Sequence, residues 1–120
     1  MAAPNLMNVA TITARTLGAN LSTTAANVLT NSASSNKVFK LNTIIISNID
    51  GSNSANARIS VYKSGSVEYF LAYDIPVASQ STLVLTSRDN NVYLEESDSI
   101  RGLASANSDL QIVISYEEVS

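Results

Sequence analysis

The stretch YLEESDSIRG, from Tyr93 to Gly102, places three carboxylates, Glu95, Glu96 and Asp98, within four positions. Only 14% of the chain is charged, so this is the first place to look for chemistry. Two carboxylates facing each other across a cleft can divide the roles of acid and base. Several around one pocket can hold a divalent cation. The spacing argues against the acid–base pair. Glu95 and Glu96 are neighbours at a strand end and point to opposite faces. Glu96 and Asp98 can share a face, but Ser97 and Ser99 bracket them, which is the composition of a polar turn. The sequence therefore predicts a solvated corner between two strands. A weak cation site, with Asp109 or Glu117 joining, is the alternative. Replacing Glu95, Glu96 and Asp98 together by amides is expected to leave the fold intact.

Other candidates are thinner. DGSNSAN, residues 50–56, has the look of a calcium loop but only one carboxylate, Asp50, and no distal bidentate Glu. It reads as a hairpin loop. His and Cys are both absent, which removes the commonest general base, the thiolate nucleophile and the usual zinc ligands. Serine is plentiful but has no His to activate it. The four glycines form no phosphate-cradling loop. No catalytic residue, cofactor or metal is expected. Tyr62, Tyr69, Tyr73, Tyr93 and Tyr116 are read as core rim or subunit contact, with a sugar-stacking strip as the alternative. Arg58, Lys63 and Arg101 are read as single charges on solvated faces.

The elements that must position these residues follow a period of two. In LQIVISYEE, Leu110, Ile112, Ile114 and Tyr116 fall on one face, the pattern of a half-buried strand. VEYFLAYD alternates likewise, with Val67, Tyr69, Leu71 and Tyr73 on one side. With ARISVYK and the turn SGS at 64–66 it predicts an antiparallel hairpin. TLVLT and NVYL are two more strands. KVFKLNTIIISNI is apolar on both faces: Phe39, Leu41, Ile45 and Ile49 on one, Ile44 and Ile46 on the other. Such a strand must be covered on both sides, by a neighbouring subunit or by the chain's own N-terminal segment. ANLSTTAANVLT is read as extended rather than helical, with Leu21, Ala25 and Leu29 on one side. Clusters of turn formers recur at the spacing of a sandwich or barrel.

These patterns predict an all-β, single-domain antiparallel β-sandwich, jelly-roll or Ig-like, of about eight strands. Residues 1–30, rich in Thr and Ala, are read as an extended N-terminal arm or edge strands, and residues 31–120 as the sandwich core. At 120 residues the chain can bury a core of its own. A net charge of −3 with seven scattered basic residues argues against nucleic acid. No stretch approaches the roughly 18 apolar residues of a membrane span. The N-terminus lacks the basic and apolar segments of a signal peptide, so synthesis and use without export are expected. Residues expected at interfaces are Ile44, Ile46, Leu6, Met7, Val9 and Ile12.

Several stretches together resemble a known family. MAAPN, NVATITART, TNSASSNKVFKLNTIIISNIDG and YLEESDSIRGLASANSDLQIVISYEE are similar to short virion proteins of tailed bacteriophages, the marine and cyanobacterial ones in particular. The likeness runs over most of the chain and is most specific over the last thirty residues. Related sequences carry Gly where this chain has Ser97. The family has no catalytic motif to carry over. The resemblance implies a virion structural protein located in the particle, not an enzyme. Its expected partners are the major capsid protein or other virion proteins and further copies of itself, a trimer if it occupies the three-fold sites of a capsid. Capsid decoration is the leading expectation. A neck, tail or fibre-associated protein, or a host-glycan-binding module, is the alternative.

Overall fold

The computed structural model describes residues 11–64, 67–87 and 92–120. They form nine strands: β1 (Ile12–Asn20), β2 (Ala26–Thr30), β3 (Val38–Asn48), β4 (Ala55–Lys63), β5 (Val67–Val77), β6 (Thr82–Thr86), β7 (Val92–Leu94), β8 (Ser99–Ala104) and β9 (Leu110–Val119). One sheet, here sheet A, runs β1-β9-β3-β6, with β7 also paired to β3; sheet B runs β2-β8-β4-β5. Every pairing is antiparallel. The fold is the all-β sandwich that the alternation predicts. The chain passes from one sheet to the other at most connections, and among neighbours in sequence only β4 and β5 pair with each other. Most pairings are therefore distant in sequence.

The core lies between the sheets. From sheet A come Leu41, Ile44, Ile46, Leu110, Ile112 and Ile114, all at 0% exposure, and from sheet B Ala57, Ile59 and Ile100. β9 faces inward as its alternation predicts. β3 does not. The register of β3 against β9 shifts between Leu41 and Thr43, so Asn42 is a bulge with no partner of its own. One extra residue reverses the parity of everything after it. Leu41, Ile44 and Ile46 thus share the inner face, and Ile45 turns outward. Ile44 and Ile46, expected at an interface with another subunit, are core residues covered by sheet B.

β5 departs from its pattern for the same reason. Its pairing with β4 shifts twice, between Ala57 and Ile59 and between Ile59 and Ser60. Asp74 takes a φ of 55°. Ala72 points into the core, whereas Tyr69 and Tyr73 are more than half exposed. The turn at 64–66 and the RDNN cluster at 88–91 fall wholly or partly outside the described residues, as do Leu6, Met7 and Val9.

β1 and β2 each form one edge of their sheet, with Leu21 and Leu29 inserted into the core. β2 is extended, not helical. Gly102, in β8, leaves the room for this: a Cβ there would lie 2.6 Å from Leu21 Cδ2 and 3.2 Å from Val28 Cγ2.

Candidate interaction surface

The acidic corner is not solvated throughout. Asp98 is 1% exposed. Its Oδ2 accepts from Lys63 Nζ at 2.7 Å and from the Glu95 backbone N–H at 3.0 Å, and its Oδ1 accepts from the Ser64 N–H at 3.1 Å. A buried carboxylate needs such a set of donors to offset its lost hydration. Lys63, expected on a solvated face, is the counter-ion, and Asp98 holds its amino group above the usual lysine range. Glu96 Oε2 accepts from the Asn36 N–H at 2.7 Å and so fastens the 31–36 turn, while Glu95 stays exposed. Ser97 takes a φ of 72°, where glycine is at ease. The corner is a structural clasp between β4, β7 and β8.

Two asparagines do similar work, Asn31 in a predicted turn cluster and Asn48 at the end of the predicted strand that became β3. Asn31 is fully buried, and its Nδ2 donates to the carbonyls of Lys37 and Leu94. Asn48 Nδ2 donates to the carbonyls of Asn53 and Val77.

A second acidic contact joins loops that the sequence keeps apart. Asp50 and Asp109 meet side by side. Backbone donation from Ser52 holds Asp50 below its usual value, while partial desolvation and then the Asp50 charge raise Asp109. Both are at the surface. Among the described residues no cluster of three or more acidic, His or Cys side chains is placed to hold a metal ion.

The two outer faces differ in kind. On sheet B, the Arg58 guanidinium grips both oxygens of Asp74 and stacks 4.1 Å from the Tyr73 ring centre, and Tyr73 meets Phe70 edge to face. Arg101 lies 4.3 Å over the Tyr62 ring and donates to Asn27 Oδ1. Ser60 donates to Glu68. A shallow groove of about 80 Å³ lies among Arg58, Ser60, Glu68, Phe70 and Arg101. The five Tyr do not line one groove: Tyr62 and Tyr73 are on this face, Tyr69 is exposed on β5, Tyr93 is on sheet A, and Tyr116 is buried against Phe39.

On sheet A, the register stacks three cross-strand rows. Gly18, Val113, Ile45 and Val84 form the middle row. Asn20, Gln111, Ser47 and Thr82 form one flank; Thr16, Ser115 and Thr43 form the other. None of these residues is charged. Gln111 donates to Asn20 Oδ1 at 3.0 Å, and the Ser47 and Thr82 hydroxyls are 3.3 Å apart, so much of the polar flank is satisfied within itself. Val84 is 58% exposed and Val113 37%. These three rows can be covered without burying a charge, the next row being Ala14, Glu117 and Lys40, and their short side chains lose little rotamer entropy. Sequence reading missed this face by placing Ile44 and Ile46 outside. The available signal was Asn42, a polar residue breaking the alternation of β3.

No family model matches the chain, and no curated protein does. A solved structure similar to it is a chain of Bacillus endospore appendages, described as a family of disulfide-linked pili. The match has a TM-score of 0.54 at 14% identity and covers 92% of this chain and 87% of the other. At that identity the likeness supports the fold and nothing finer.

Proposed function

We infer that this chain is a structural subunit of a tailed-bacteriophage virion, a capsid decoration protein that lies on the shell through the outer face of sheet A. The observation that carries this reading is the uncharged, self-satisfied surface around Ile45, Val84 and Val113. A stable contact needs such a patch, with polar groups that cost little to cover. The resemblance in sequence supports the virion setting. The similar pilus chain is also a protein of a built assembly. The neutral face takes the role expected of Ile44 and Ile46. A position in the neck, tail or fibre would use the same face.

The test is binding of the purified chain to particles that lack it. Wild type should sediment with them at a fixed ratio to the major capsid protein. Val84→Lys puts a charge in the middle row and should abolish binding while leaving the fold unchanged. Saturable binding unaffected by Val84→Lys would remove the face from the account. The groove on sheet B keeps a second reading, host-glycan recognition. Its test is a glycan array, in which Arg101→Ala and Phe70→Ala should remove any signal.

A further inference from the structure

A sheet edge is a template for another strand, and most edges of this sandwich are blunted against that. β5 carries Pro76, Glu68, Asp74 and two register shifts. β2 has five residues and a shift between Asn27 and Leu29. β6 has five residues and bulges at Leu85, which has no partner in β3, and β7 has three. Bulges, prolines, charges and short length are the usual protections. β1 has none of them except one charge. Its nine residues pair with β9 without a shift, and Arg15 is held by Glu118 at 2.8 Å.

The phase of the ladder fixes what β1 offers on the side where no described strand pairs with it. Thr11 and Ser120 exchange both backbone bonds, and the Leu21 N–H donates to the Leu110 carbonyl. Hydrogen-bonded pairs alternate along an antiparallel ladder. The odd residues of β1 therefore face β9. Ile12, Ala14, Thr16, Gly18 and Asn20 turn their N–H and C=O groups to the free edge. None is proline, and all are exposed.

We propose that β1 pairs antiparallel with β1 of a second copy about a two-fold axis at Thr16, joining the two A sheets into one. The occupant follows from the register. Centring on Thr16 sets Ile12 opposite Asn20 and Ala14 opposite Gly18 of the partner, so every outward group is used. Arg15 then faces Leu17. Centring one residue earlier would place Arg15 against Arg15, and like charges directly opposite are destabilising. Thr16 opposite Thr16 is a favourable pair. The Thr16, Ser115 and Thr43 row would continue across the join, while each middle row would meet the partner's row of Ala14, Glu117 and Lys40. This inference rests on reading the chain as an assembly subunit.

The experiment uses the full chain, light scattering over a concentration series, and single cysteines in a chain that has none. Wild type should reach twice the 12.7 kDa chain mass. Thr16→Pro removes only an outward N–H, and Thr16→Lys sets two cations on the axis. Both should lose the dimer at an unchanged melting temperature. Thr16→Cys should oxidise to a covalent dimer, because a narrow antiparallel pair sets its Cα atoms about 5.5 Å apart, within disulfide reach. Asn20→Cys, opposite Ile12 of the partner, should not. A wild type that stays monomeric at every concentration overturns the proposal. So does an oligomer indifferent to both Thr16→Pro and Thr16→Lys, or equal oxidation of the two cysteine variants. If the dimer forms but neither it nor the uncharged Thr16→Pro monomer binds particles, β1 pairing stands and the decoration reading falls.

Discussion

Replacing Asp98 by Ala should be among the most damaging single changes at the surface loops. It strips one carboxylate from three donors: Lys63 Nζ, the Ser64 N–H and the Glu95 N–H. Breaking a buried ion pair by removing one partner costs roughly 3–5 kcal/mol. The Lys63 side chain is 37% exposed and can recover part of its hydration, which discounts that figure. Two backbone donors left without a partner restore part of the loss. The expected total is about 3 kcal/mol. Asp98→Asn keeps an acceptor and the shape, so about half of that is expected. For a domain of this size about 3 kcal/mol lowers the melting temperature by roughly 10 °C. Circular dichroism melts and urea titrations would measure both. Glu95→Gln, exposed and 4.0 Å from Lys63, is the control and should change stability by less than about 0.5 kcal/mol. An Asp98→Ala protein within about 0.5 kcal/mol of wild type would refute the clasp and restore the solvated corner.

Three further outcomes are expected. Gly102→Ala drives a Cβ to 2.6 Å from Leu21 Cδ2 and should cost about 1–3 kcal/mol by urea titration. Leu21→Ala in the same chain should relieve part of it. Ser97→Gly releases a side chain from a φ of 72° and should leave stability equal or raise it by about 0.5 kcal/mol in the same assay. Stability should also fall in alkali. Asp98 raises the Lys63 amino group above 10.5 in the fold, so its contribution is full below that pH and is lost as pH rises through the raised value. Burial raises Tyr116 above 10.0, in the same sense. Lys63→Met should flatten the lysine part of that decline in melts from pH 8 to 12.

The strands were legible where alternation was unbroken, and faces were misread wherever a bulge intervened. β9 alternates without a bulge of its own, and Leu110, Ile112, Ile114 and Tyr116 all point inward as read. β3 contains Asn42, and one unpaired residue moved Ile44 and Ile46 from the expected interface into the core. β5 lost its alternation to two register shifts, which exposed Tyr69 and Tyr73. Buried polar groups were illegible for a different reason. Asp98 is buried because Lys63, 35 residues earlier, reaches it across β4 and β8. Asn31 reads as a turn former and Asn48 as a strand residue, because the carbonyls they bind lie partly in distant strands. Composition shows that such residues favour turns. It does not show which turns the second sheet will cover.

The most direct measurement is the copy number of this chain in purified particles, by quantitative mass spectrometry against the major capsid protein. The account predicts a fixed stoichiometric ratio that survives extensive washing. Absence from the particle, or a trace that varies between preparations, would contradict it.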